Sequence, residues 1–376
     1  VHHGGRVNRQ IRIAGVAIMA LFVVLFAQLN YVQVVRAAGL NHNHLNSRLA
    51  LATFTTKRGD IVSSDAVVLA HSQPTTDAYK YQRMYPTGDL FGQITGYFSF
   101  TYGLEGAERT FNADLTGANA PFQLPHSLKD LTVKQDPSQT VTLTLSNKLQ
   151  QLARTQLGTN KGAVVALDPT TGAILALWSN PSYDPNPLAL HDQNQVRSYW
   201  TAENTNPDQP LLAASFRRRF FPGSTFKVLT SSAVFDKRPD LATKVYPNLS
   251  ALALPNAGGQ VLRNFGGEVC GGALPDLFRV SCNSGFGAIG LDLGAADLTA
   301  EANSFGFDHT PPIDLPGAAQ SFFPAVGAFA RDLPGLAKSA IGQQSVQATP
   351  LEMALVAAAV ANGGIIMKPH VLAQVT

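Results

Sequence analysis

No charged residue occurs between positions 13 and 35, and apart from Gln28, Asn30 and Gln33 the run is apolar or small. A helix of about 20 such residues spans the hydrocarbon core of a bilayer, so this stretch cannot be budgeted to a water-facing core. Arg6, Arg9 and Arg12 precede it, and basic flanks stay on the cytoplasmic face while the following chain is exported. The competing reading is a cleaved signal peptide. It fits less well, because the run is longer than a signal core and no clear small-x-small site follows it before Arg36. The sequence is therefore read as a cytoplasmic tail (1–12), a single-pass transmembrane anchor (13–35) and an extracytoplasmic remainder.

That remainder is large enough for two or three folded units: the chain has 376 residues, of which 45% are hydrophobic. A formal net charge of +3, little clustered, gives no footprint for nucleic acid. Arg217-Arg218-Arg219 is the one basic run, either a solvated turn or a contact for an anionic glycan or peptide carboxylate. His42 and His44 lack the further Cys, His or carboxylate neighbours that a metal needs. No Gly-x-Ser-x-Gly and no phosphate loop ending in Lys-Ser or Lys-Thr is present. Neither a metal nor a cofactor is expected.

The chemistry concentrates at Phe220-Phe-Pro-Gly-Ser-Thr-Phe-Lys227. Pro222 and Gly223 precede a helix-periodic apolar run, which places Ser224 near a helix N-terminus and sets Lys227 on the same face. A serine hydroxyl is a poor nucleophile until a base takes its proton, and lysine serves only when burial or a nearby cation makes it neutral. A second element, Ser281-Cys282-Asn283, follows a short predicted helix (275–280). A loop of that pattern can bring a hydroxyl to relay the nucleophile's proton and an amide to hold a peptide bond. In isolation it reads first as a turn with local hydrogen bonds. Ser-x-x-Lys and Ser-x-Asn each occur once in the chain.

In this order the two motifs resemble those of the penicillin-binding proteins, and most closely the monofunctional class B transpeptidases of the actinobacterial kind. The likeness extends to Gly162-Ala-Val-Val-Ala-Leu-Asp-Pro-Thr-Thr-Gly-Ala-Ile-Leu-Ala-Leu, to Asn180-Pro-Ser-Tyr-Asp-Pro-Asn186, to Phe305-Gly306-Phe307 and to residues 342–364. It implies an α+β fold of the serine β-lactamase and penicillin-binding transpeptidase kind, an antiparallel sheet flanked by helices. Before it, the resemblance implies a β-rich, non-catalytic pedestal at 36–138. The transpeptidase domain would occupy 139–376. Arg58-Gly-Asp-Ile-Val, a turn at 63–65 and residues 67–71 form the pedestal's opening hairpin, with Ala66 where the family usually has glycine. Three residues of Arg-Gly-Asp carry almost no information about adhesion. The interval is too short for a glycan-polymerising domain.

The family's third motif, Lys followed by Thr or Ser and Gly, is missing. After Asn283 the lysines are Lys338, before Ser339-Ala340, and Lys368, before Pro369. The transpeptidase domain is thus expected to be incomplete at its C-terminus and to acylate poorly. The resemblance implies acyl transfer in which Ser224 attacks a peptidoglycan stem peptide, with its proton passing to Lys227 directly or through Ser281. Asn283 would orient the substrate amide and Lys227, and a β-lactam would acylate the same serine. It also implies a membrane glycan polymerase as partner. The competing readings are a D,D-carboxypeptidase or serine β-lactamase-like hydrolase, and a catalytically inactive scaffold. Cys270 and Cys282 are expected to pair and pin the motif loop, since an exported chain tolerates disulfides; two separate buried thiols are the alternative.

Local pattern supplies the remaining elements. Residues 140–145 alternate as a strand, 147–157 have helical spacing, and Asp168-Pro-Thr-Thr-Gly172 turns between strands at 163–167 and 173–178. Thr349-Pro-Leu-Glu352 reads as a capping box opening a helix that Asn362-Gly363 ends, with a role in buttressing the sheet beside the site.

Overall fold

The computed structural model describes residues 4–32, 54–119 and 137–376. His42, His44 and the last three positions of the expected anchor lie outside them. The chain divides into two compact units, Val1–Thr56 with Thr76–Lys80 and Lys57–Thr75 with Tyr81–Thr376. In the first, α1 (Gly4–Asn30) contains the stretch Arg12–Asn30, long and apolar enough to cross a membrane. Phe22, Leu25 and Phe26 are each about two-thirds exposed there. That is the all-round apolar surface of a helix that needs a non-aqueous partner.

The second unit opens with β1 (Ile61–Val62), β2 (Val68–Pro74) and β3 (Tyr81–Met84), the expected hairpin and one further strand. The turn between β1 and β2 closes on Asp65. Its carboxylate accepts from Ser63 Oγ and Ser146 Oγ and from the backbone N–H groups of Asn147 and Lys148. These donors hold its pKa well below the usual carboxylate range. Ala66, at the turn position where glycine is usual, has φ +62. That left-handed backbone costs an L-residue about 1 kcal/mol. Arg58 cannot serve as an exposed adhesion residue. It is 1% exposed, paired with Glu108 at 2.7 Å, and Glu108 also takes Arg83 at 2.6 Å. Gly59 is required by space alone, because a Cβ there would meet Gln139 O at 1.8 Å.

Next come β4 (Val141–Leu143), α2 (Asn147–Leu157), capped by Ser146, and the hairpin of β5 (Gly162–Leu167) with β6 (Ile174–Asn180). In that hairpin Val165 lies opposite Leu177. Helix α3 (Lys227–Lys237) is followed by short strands β7 (Tyr246–Leu249), β8 (Ala251–Ala253), β9 (Val261–Arg263) and β10 (Cys270–Gly272). The chain continues through α4 (Leu274–Arg279), α5 (Asn283–Ser304), α6 (Leu333–Ser339), α7 (Pro350–Ala361) and β11 (Leu372–Val375).

The largest sheet has the order β11-β4-β1-β2-β3. β4 runs parallel to β1, with Ile61 opposite Val141, and antiparallel to β11. It thus draws together strands from both sides of the pedestal boundary expected at 138. The β5–β6 hairpin carries the antiparallel pairing expected for the transpeptidase, and α7 packs on β5. Two cores result. One groups Ile61, Val141, Ile174, Trp178 and Leu351 between the sheets and α7. The other groups Phe226, Leu229, Phe286, Ile289 and Leu336 between α3, α5 and α6. The Ser-x-x-Lys and Ser-x-Asn motifs sit on this helical core.

Candidate active site

Ser224 lies in a 3-10 turn, Gly223–Phe226, rather than in the α-helix itself, which begins at Lys227. The difference from the expected helix has a physical consequence. At three residues per turn the side chains at i and i+3 eclipse, so the turn aligns Ser224 with Lys227 more directly than α-helical spacing does. Phe226 fixes the turn to the core: it is fully buried, stacked on Phe323 at 5.5 Å and edge-on to Phe307 at 5.5 Å. The approach to the turn is clamped by Phe220, which pairs with Ala348, and by Gly223 N–H donating to Gly342 O at 2.9 Å. Gly342 adopts φ +69, and a Cβ there would stand 2.3 Å from Gly223 O, so the clamp tolerates no other residue.

Ser224 is exposed, whereas Lys227 is 2% exposed. Lys227 Nζ is 3.2 Å from Ser224 Oγ, 2.9 Å from Ser281 Oγ, 2.6 Å from Ser281 O and 2.7 Å from Asn283 Oδ1. It also lies 5.4 Å from the centre of the Phe286 ring. Burial pushes its ammonium down to about 8. The four sequence-predicted residues are therefore in mutual contact around one nitrogen.

The second motif is held by its own geometry. Ser281 has φ +54, a left-handed conformation that a serine keeps only where the surroundings enforce it. Cys282, next in the chain, is bonded to Cys270 on β10 with a Cα–Cα separation of 5.9 Å, within the usual span of a disulfide. Asn283 is the first residue of α5 rather than a loop residue. Its Nδ2 donates to Arg263 O at 3.1 Å, which uses one of its two N–H groups and turns Oδ1 toward Lys227.

Two contributors were missed from sequence. Phe286 reads as core in an apolar run, but it is three residues past Asn283 on α5 and so shares its face. Arg263 contributes a main-chain carbonyl, for which side-chain identity gives no signal. Of the basic run, Arg217 is turned inward to Pro316 O and Glu105, and Arg218 meets Gln209 Oε1 at 3.2 Å.

Residues 162–376 match the penicillin binding protein transpeptidase domain family, and residues 58–141 match the penicillin binding protein A dimerisation domain family. Peptidoglycan D,D-transpeptidase PbpA of Mycolicibacterium smegmatis is 37% identical over 374 residues, 97% of this chain and 75% of that protein. Its Mycobacterium tuberculosis counterpart is 34% identical over 377 residues, again 97% of this chain and 75% of that protein. The imipenem acyl-enzyme complex of M. tuberculosis penicillin-binding protein A superposes with a TM-score of 0.77 at 33% identity, covering 86% of this chain and 75% of that one. The penicillin G acyl-enzyme gives 0.76 at 32%, covering 85% and 74%.

Proposed function

This chain belongs to the penicillin-binding protein transpeptidases, acting as a peptidoglycan D,D-transpeptidase, and from that premise we propose how its own residues divide the work. Ser224 is the acylated nucleophile, Lys227 its base, Ser281 a relay for the proton, and Asn283 the holder of the substrate amide.

The observation that carries this assignment is the set of partners around Lys227 Nζ. Ser281 O and Asn283 Oδ1 are carbonyl oxygens, which accept hydrogen bonds and cannot donate. A neutral amine has two N–H groups, and these two acceptors take both. Its lone pair is then left to the only partners that carry a transferable proton, the hydroxyls of Ser224 and Ser281. Burial, by lowering the Lys227 pKa to about 8, makes a usable fraction of neutral amine near neutral pH.

Acylation follows in balanced steps. Ser224 Oγ bonds to the carbonyl carbon of the stem peptide's penultimate residue while its proton passes to Lys227 Nζ, directly or by way of Ser281 Oγ. The carbon–nitrogen bond to the terminal residue breaks, and that amine leaves with the proton. An amine from a second stem then attacks the acyl carbon, its proton passes through Lys227 Nζ to Ser224 Oγ as the carbon–oxygen bond breaks, and the cross-linked product leaves with Ser224 restored. The Ser224 backbone N–H, at the start of the turn, faces the developing oxyanion, a contribution of about 3 kcal/mol in comparable sites.

A β-lactam presents the same carbonyl in a ring, so its opening leaves an acyl group on Ser224. The acyl-enzyme structures of the M. tuberculosis relative support that reading. Membrane placement through α1 brings the site to the substrate's surface, where a glycan polymerase is the natural partner. The assignment is tested by exposing the chain to penicillin G and mapping the adduct by mass spectrometry. The adduct is expected on the peptide containing Ser224 and absent in Ser224→Ala; an adduct retained by that variant contradicts the assignment.

A further inference from the structure

Away from the Ser224 cluster, one buried carboxyl stands out among the described residues for having an unpartnered oxygen. Glu352 on α7 is 1% exposed, and its Oε1 makes no hydrogen bond. The sequence predicts a capping box in which this carboxylate returns to the Thr349 N–H. Only half of it forms. Thr349 Oγ1 accepts from the Glu352 N–H at 3.1 Å, but the Thr349 N–H donates to Ser321 Oγ, also at 3.1 Å.

The carboxyl, free of capping, lines a cavity of about 460 Å³ together with Gly306, His309, Leu355, Ile366, Met367 and Lys368. That volume lies in the range of small-molecule sites. Gly306 has φ +102, and a Cβ there would stand 2.8 Å from Glu352 Oε1, so glycine keeps the carboxyl reachable. Lys368 is exposed and makes no ion pair among the described residues. His309 Nδ1 is spent on Phe307 O at 3.0 Å. One acidic and one basic group, both unpaired, thus share one largely apolar cavity that has no residue in common with the Ser224 cluster.

We propose that this cavity is a second, non-catalytic site for a small zwitterion with an apolar side chain. Its ammonium binds Glu352, its carboxylate faces Lys368, and its side chain packs on Leu355, Ile366 and Met367. An unpaired polar group in such a dry place is costly until a ligand satisfies it. Burial raises the Glu352 pKa to about 8, so at neutral pH an arriving ammonium draws the carboxyl into its ionised form and one proton leaves to solvent.

The test is calorimetric titration of the detergent-solubilised full chain with L-leucine at neutral pH, in two buffers of different ionisation enthalpy. Isoamylamine and isocaproate serve as ligands of single charge. L-leucine is expected to bind saturably, equally in the parent and in Ser224→Ala, with heats that differ between buffers because a proton is released. Each single-charge ligand should bind at least about tenfold more weakly. Glu352→Gln should remove the buffer dependence and weaken L-leucine about tenfold, and Lys368→Met, at an exposed position that folding does not need, should weaken it independently. No saturable binding to the folded parent would overturn the proposal. So would isoamylamine binding as tightly as L-leucine, or affinity unchanged in both variants.

Discussion

Lys227 shows how one side chain is given opposite instructions by its neighbours. The carbonyl oxygens of Ser281 and Asn283 and the nearby face of the Phe286 ring favour an ammonium, while burial favours the neutral amine, and burial wins by enough to bring the pKa to about 8. A base poised near the working pH is what proton transfer from a serine requires. Arginine keeps the positive charge and some of the hydrogen bonds but never yields a lone pair. Lys227→Arg is therefore expected to lower the rate of Ser224 labelling by fluorescent penicillin by a factor of about 100 or more, with the chain still folded by circular dichroism. Labelling within a few-fold of the parent would show that Lys227 is not the base. This pairing was legible in the sequence because Ser-x-x-Lys is a local pattern. The Arg263 carbonyl and the left-handed Ser281 were not, since both depend on where a distant loop is placed.

Among the elements, the segment Cys270–Cys282 converts a short β-strand and helix into a rigid mount for the second motif. The disulfide closes a loop of sequence separation 12 and ends one residue from Ser281. The double variant Cys270→Ser, Cys282→Ser is expected to lose about 3 kcal/mol of stability in the chain-entropy picture. It should also label more slowly, because Ser281 is freed from φ +54 toward ordinary backbone. Denaturant unfolding and labelling kinetics on the same sample check both; unchanged values in each would mean the α5 N-terminus alone holds the motif.

The sequence reading fared best where the signal was local. Helix 147–157 appears with the same bounds, and the hairpin around Asp168 turns as expected, because spacing and turn chemistry act over a few residues. The five-stranded sheet was not legible. Local pattern marks β1 within the opening hairpin and β4 within 140–145, but the two pair across some 80 positions, too distant for any turn to fix. The capping box forms on its Thr349 side and loses its Glu352 side for a similar reason: Ser321, remote in sequence, accepts from the Thr349 N–H that Glu352 was expected to satisfy.

At the scale of the whole molecule, the apolar stretch Arg12–Asn30 and its preceding arginines predict an orientation that can be tested. A tag fused after Thr376 is expected to be removed by protease added outside intact cells, and an N-terminal tag to be spared; protection of the C-terminal tag would reverse the topology. The dependence of acylation on pH reports the Ser224 cluster directly. The decisive measurement is the rate of Ser224 acylation by penicillin G as a function of pH, followed on the full chain. Below the pKa of Lys227 only a fraction of the enzyme holds the neutral amine, so the rate should climb about tenfold per pH unit and level off above about 8, and the climb should vanish in Lys227→Arg. A rate that is flat across that interval, or a climb that persists in the variant, would contradict a neutral lysine as the base of this site.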